Sequence, residues 1–238
     1  MTTIFTDGKF MIADRRSTRS VISKDVIASS GRRNSNYEFS TDATVKLTVP
    51  PNMKFRGKQI ACMATAGDGY IGDHFRNLAA VKRPMDLDAL LDGIDGMPCN
   101  TSETSATILA LFKNGEIRSF EIRSRFENRV HVYAVKDKEH PLGPGYPTLY
   151  SVGSGSSYWG KIASSIVKPV SMLDVFLFST HLDPYSVESY SVYSLEEDHL
   201  YTHVNPSGEE VEAAIKRIQD ATVFYNPSRK AKPVKKVA

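Results

Sequence analysis

The opening sixteen residues constrain the fold most. From Met1 to Arg16 the chain reads MTTIFTDGKFMIADRR. Thr2 and Ile4, then Phe10 and Ile12, alternate with more polar neighbours, which is the period of a half-buried strand. Between the two runs stands Asp7-Gly8, a strong short-range hairpin signal, because the central residues of a type I′ turn need positive φ. The stretch therefore predicts a β-hairpin starting at the first residues of the chain, where ends are ordinarily frayed. Thr2 directly follows Met1, and a small second residue allows the initiator to be trimmed. Thr2 would then carry a hydroxyl and a free α-amine on one residue, a self-contained nucleophile and base.

The rest of the chain alternates strand and helix signals. Thr41–Val49 reads as a strand halted by Pro50-Pro51, with Lys46 on the opposite face from Val45 and Leu47. Gln59–Ala66 is a continuous apolar run of strand length, the pattern of a strand covered on both faces. Gly67-Asp68-Gly69 ends it. A helix is expected through His74, Leu78 and Val81 to Pro84, and a second over Asp86–Leu91. Ala106–Phe112 and Glu116–Ile122 flank Asn114-Gly115, a second hairpin. Residues 127–135 add a strand, residues 140–147 form a loop, and Leu149–Val152 is a strand running into Gly153-Ser154-Gly155. Helices follow from Ser156-Ser157 to Val167 and from Val170 to His181, separated by Pro169. Tyr190–Leu195 reads as a late strand and Glu209–Gln219 as an amphipathic helix. Residues 29–36 read as a loop and Val21-Ile22-Ser23 as a short strand. Residues 1–226 are expected to form one domain and 227–238 a basic, disordered tail. This order predicts an α+β sandwich with helices on the outer faces of two sheets.

Composition excludes several function classes. The formal charge of +3 on 238 residues gives no argument for nucleic acid, and much of the excess lies in the tail after Pro227. Cys62 and Cys99 are the only cysteines and have no metal or redox spacing, so a reduced cytoplasmic protein is expected. No apolar run approaches the about 18 residues of a membrane span, and the N-terminus does not read as a signal peptide. His199 and His203 lack a third ligand, so no metal is expected. Asp86–Asp95 is spaced for a helix rather than a calcium loop.

Thr2-Thr3-Ile4, Ala13-Asp14-x-Arg16, Val45-Lys46-Leu47, Ala66-Gly67 with Asp73 after it, Val152-Gly153-Ser154-Gly155-Ser156 and Asp183-x-x-Ser186 occur in that order. In this order the motifs resemble the proteasome β-subunit family, which includes bacterial peptidase rings driven by a heat-shock ATPase. The resemblance implies a four-layer αββα N-terminal nucleophile hydrolase fold and a threonine peptidase acting on peptide or protein substrates. It also implies a homo-oligomeric ring and a partner ATPase, with no cofactor.

The resemblance also implies residue roles: Thr2 as nucleophile, Lys46 tuning it, and Ser154, Asp183 and Ser186 orienting the terminal amine. On chemical grounds Lys46 would lower the amine pKa and needs a carboxylate partner when buried, for which Asp14 is placed. The Gly67 N–H is expected to stabilise the oxyanion, with Gly69 as the alternative. Each has a plainer reading: Lys46 a solvated strand lysine, Asp14 a surface turn, Gly153–Ser156 a helix start capped by Ser156 or Ser157, Asp183-Pro184 a turn, and Gly67 the strand-to-helix bend. Two departures stand out. Val187 follows Ser186 where the family usually has Gly, and the stretch from Ser154 to Asp183 is shorter than usual. The stretch from Asp14 to Lys46 and residues 84–104 read as insertions.

Overall fold

The computed structural model describes residues 2–22, 36–67, 75–78, 80–96, 105–125, 129–135, 138–143, 145 and 147–223. Two antiparallel sheets lie face to face. The first runs, in spatial order, Lys138–Pro141, Thr148–Gly153, Thr3–Thr6, Phe10–Asp14, Tyr190–Ser194 and His199–Val204. The second runs Arg129–Val135, Ile117–Arg125, Ser105–Phe112 and Lys58–Gly67. Both Met53–Phe55 and Leu47–Thr48 pair antiparallel with Lys58–Gly67, and Met85–Asp86 joins beyond Met53–Phe55 as the one parallel pair among the described strands.

Side-chain alternation along these strands sorts the core into three sets. Ile4, Met11, Ala13, Leu47, Ala61, Ala64, Leu109, Leu111 and Tyr193 fill the space between the sheets. Phe5 and Ile12, one residue out of phase, face the other way, onto the helices Ser156–Ile162, Met172–Leu182 and Gly208–Ala221. Ile108, Ala110 and Phe112 point out of the second sheet, onto Phe75 and the helix Leu87–Ile94. The result is a four-layer αββα sandwich, as the order of elements predicts. Lys58–Gly67 carries the buried run Ile60–Ala66, apolar except for Thr65, because both of its faces are covered.

Several expectations are corrected. Neither hairpin turn is type I′: Gly8 and Gly115 have φ +87° and +82°, but neither Asp7 nor Asn114 is among the non-glycine residues with positive φ. Their side chains build the turns instead. Asp7 Oδ1 accepts from the N–H groups of Lys9 and Phe10, and Asn114 Oδ1 accepts from that of Glu116. The strand expected over 41–49 is reduced to Leu47–Thr48, because Thr44 N–H bonds the Arg15 carbonyl and consecutive Lys46 and Leu47 are both buried. The stretch from Asp14 to Lys46 holds a two-stranded ribbon, Ser17–Ile22 with Asn36–Thr41, so strand begins at Asn36, inside the expected 29–36 loop. The expected 140–147 loop gives its first two residues to the edge strand Lys138–Pro141. Neither Ser156 nor Ser157 caps its helix: their hydroxyls donate to the carbonyls of Gly153 and Ser154. The strand His199–Val204 was not expected, since its face is largely exposed. Gly69, Asp73, His74, residues 29–35 and the 227–238 tail lie outside the described residues.

Candidate functional site

The start of the first strand is fixed from its neighbour. Thr3 lies opposite Gly153 in the ladder, and the Ser154 N–H donates to the Thr2 carbonyl at 2.8 Å. A Cβ on Gly153 would stand 1.7 Å from the Thr2 carbonyl oxygen, and one on Gly155 would stand 2.0 Å from Thr3 Oγ1. Gly153-Ser154-Gly155 is therefore glycine-rich so that the Thr2 carbonyl and the Thr3 side chain can lie against it. Thr2 is 6% exposed.

Asp14 closes the second strand and is wholly buried. One of its oxygens, Oδ1, accepts from the Thr3 N–H at 2.7 Å and from the Lys46 ammonium at 2.8 Å. The other accepts from the Arg16 N–H at 3.1 Å. Burial pushes the Asp14 carboxyl above its ordinary value of 3.8, against the pull of Lys46 and the two N–H donors. Burial likewise lowers Lys46 from 10.5, against the attraction of Asp14. Lys46 thus sits beside the backbone that joins Thr2 to Thr3, with its ammonium form destabilised. The solvated-lysine alternative is excluded, because its side chain is 4% exposed.

A second buried carboxylate, Asp183, lies at the C-terminal end of the helix Met172–Leu182. Its Oδ2 accepts from Ser154 Oγ at 2.5 Å and from Ser186 Oγ at 2.7 Å, and its Oδ1 accepts from the Tyr185 N–H at 3.1 Å. Thr3 Oγ1 stands 2.7 Å from Ser186 Oγ and 3.1 Å from the Gly155 nitrogen. Each hydroxyl has one proton. Ser186 spends its proton on Asp183, so Thr3 donates to Ser186 and accepts from Gly155. Ser154 also spends its proton on Asp183, which leaves lone pairs on its Oγ beside the Thr2 carbonyl, 3.4 Å away. Arg16 ties the cluster down from outside, with Nε and Nη2 on Asp42 and Nη1 on the Ser186 carbonyl.

Thr2, Asp14, Lys46, Ser154, Asp183 and Ser186 are therefore joined, through Thr3, by one polar network. Gly67 stands apart at the end of Lys58–Gly67, opposite Ala106. Its φ is +105°, and a Cβ there would meet the Ser105 carbonyl at 2.3 Å, so close approach of the neighbouring strand already accounts for the glycine. Thr3 is the residue that sequence reasoning passed over. Its position was legible, since alternation puts residue 3 on the face opposite Thr2 and Ile4. That this face holds Ser186 and Asp183 depends on tertiary packing. His199 and His203 lie on one strand, about 13 Å apart along it, too far to share an ion. Among the described residues no three His, Cys, Asp or Glu side chains come together, and no helix is long and apolar enough to cross a membrane.

No family model matches this chain, and no curated protein does. Among solved structures the chain is similar to the Anbu (Gly-1) mutant from Hyphomicrobium sp. strain MC1. The two share 12% identity at a TM-score of 0.43, over 93% of this chain and 94% of that one.

Proposed function

We propose that this protein is a threonine peptidase of the N-terminal nucleophile type, acting through Thr2 once Met1 is removed. The observation that carries the reading is the shared Asp14 oxygen, which holds the Lys46 ammonium and the amide following Thr2 together in a buried setting. An α-amine titrates near about pH 7.7–8.0, so the freed Thr2 amine can accept the Thr2 hydroxyl proton at ambient pH. The hydroxyl oxygen then adds to a peptide carbonyl. The leaving amine takes the proton, and an ester on Thr2 remains. Water hydrolyses that ester and regenerates the threonine.

Lys46 is the electrostatic partner of the developing alkoxide, and Asp14 its counter-charge. Ser154 offers its Oγ lone pairs to the amine. Asp183 and Ser186 act one step back, through Ser154 and Thr3. Gly67 remains the candidate oxyanion donor from the opposite sheet. The reading further implies one domain over residues 1–226, a homo-oligomeric ring, a partner ATPase and a cytoplasmic setting, without a cofactor.

One observation favours a second reading. The hydroxyl protons of Thr3, Ser154 and Ser186 are all spent within the chain. Such a network would equally fasten the first strand in a non-enzymatic interaction protein. Intact mass and activity separate the two. The peptidase reading expects loss of Met1, hydrolysis of small fluorogenic peptide amides, and a drop of about 10⁴-fold or more in Thr2→Ala. Equal turnover by wild type and Thr2→Ala, or retention of Met1 on a protein without turnover, selects the second reading.

A further inference from the structure

Arg15 stands between Asp14 and Arg16 and is 8% exposed, yet among the described residues its Nε and Nη1 have no hydrogen-bond partner. Its remaining nitrogen, Nη2, donates a long bond of 3.3 Å to the Ala43 carbonyl. The neighbouring cations are both matched: Lys46 by Asp14 and Arg16 by Asp42. No carboxylate among the described residues pairs with Arg15. A guanidinium does not escape by losing its proton, and a buried charge without a counter-ion costs several kcal/mol. The backbone nevertheless holds it in place, with its N–H on the Ser189 carbonyl and its carbonyl accepting from the Thr44 N–H.

Register points the residue toward Thr2. Ile4 pairs with Ala13, so the same antiparallel step carried two residues further sets Thr2 opposite Arg15. Alternation puts both on the face of Ile4 and Ala13, which looks between the sheets. Opposed residues hold their Cβ atoms about 5 Å apart. From there the guanidinium would be within reach of a group one or two residues from whatever bond Thr2 attacks.

We propose that Arg15 receives a carboxylate of the substrate, making the site selective for peptides with an acidic group beside the scissile bond. This deepens the peptidase reading and rests on it for the meaning of "scissile", while binding of the carboxylate does not. The side chain supplies Nε–H and Nη–H donors to a carboxylate that would neutralise it in a dry setting, where charge-assisted bonds are strongest.

The test uses matched fluorogenic peptide amides that differ only in Glu, Gln or Lys next to the cleaved bond. Wild type is expected to prefer Glu over Gln by about ten-fold or more in kcat/KM, worth about 1.4 kcal/mol. Arg15→Met is expected to level the three. A binding arm uses Thr2→Ala with unlabelled Glu and Gln peptides in calorimetry, each with a free and an amidated C-terminus, so that side-chain and terminal carboxylates are distinguished. Arg15→Met should keep or raise the melting temperature, because it removes an unmatched buried charge. Glu binding that depends on Arg15 without any turnover would keep this inference and overturn the peptidase reading. Turnover by Thr2 with no preference between Glu and Gln would do the reverse. A marked fall in melting temperature in Arg15→Met would show the guanidinium already satisfied within the chain and overturn the inference.

Discussion

Two buried carboxylates flank the start of the first strand, and the protein neutralises them by different means. Asp14 faces a full positive charge on Lys46 together with two backbone N–H groups. Among the described residues Asp183 takes its hydrogen bonds from neutral donors, the hydroxyls of Ser154 and Ser186, the Tyr185 N–H and, at 3.4 Å, Thr3 Oγ1, and Lys46 reaches it only as a more distant charge. A buried ion pair balances large opposing terms, so removing one partner exposes the whole desolvation cost of the other. A hydroxyl network is built from smaller units, each costly to remove only in so far as its neighbours are stranded. The first arrangement leaves a titratable cation beside Thr2. The second fixes position without adding charge. That division suits a site in which Lys46 carries the electrostatics and Asp183 the geometry.

The sharpest way to break the comparison is at Lys46. Lys46→Met leaves Asp14 buried with N–H donors alone and is expected to cost about 3–5 kcal/mol, read as a fall in the urea midpoint. It should also reduce turnover by about 10²-fold or more. Replacing both partners, Asp14→Asn with Lys46→Met, removes both charges but keeps a side-chain acceptor for the Thr3 N–H, and should recover most of the stability and none of the activity. If the double variant is as unstable as the sum of the single ones, the two groups do not act as a pair.

The pair also sets a pH signature. Burial raises Asp14 above 3.8, so the stability it contributes is full below the ordinary carboxylate value and lost as pH rises through its folded value. Lys46 is lowered from 10.5, so its contribution is full above the ordinary lysine value and lost as pH falls through its folded value. In Lys46→Met the second effect disappears and the first grows, because nothing then opposes the burial of Asp14 except N–H donors. The deficit of the variant against wild type should therefore shrink as pH falls toward the ordinary carboxylate value of Asp14. Urea midpoints that run parallel over that fall would mean Asp14 is not the group left stranded.

Much of the architecture was legible because it rests on local patterns. The alternation of Phe10 and Ile12, the unbroken apolar run into Ala66 and the turn residues at Asp7-Gly8 and Asn114-Gly115 specify strands and their ends. The order of elements then leaves few ways to layer them. Lys46 shows where such reading stops. Alternation alone assigns a strand lysine to solvent; the pairing with Asp14, held at 2.8 Å, was readable only from the motif order and from the need of a buried ammonium for a carboxylate. Thr3 shows the same limit. Its face could be read from residue parity, but the partners on that face come from Gly155 and from Ser186, far along the chain. The exposed strand His199–Val204 had no apolar period to reveal it, since one edge and much of its surface meet water.

The smallest expected effect lies in the hydroxyl network, and it separates position from charge. Ser186→Ala removes the acceptor of the Thr3 hydroxyl and one donor to Asp183 at once. Thr3 is fully buried and still accepts from the Gly155 N–H, so its hydroxyl proton must either turn to Asp183, 3.4 Å away, or go without an acceptor. The expected cost is about 1–3 kcal/mol, well below that of Lys46→Met. Because no formal charge changes, its stability deficit should be nearly flat over the pH range in which that of Lys46→Met shrinks. Turnover should fall through misplacement of Thr2 while the pH of half-maximal rate stays where it is in wild type. A pH optimum displaced by Ser186→Ala as far as by a conservative change at Lys46 would mean that Asp183 shares the electrostatic work, and the division between the two carboxylates would fail.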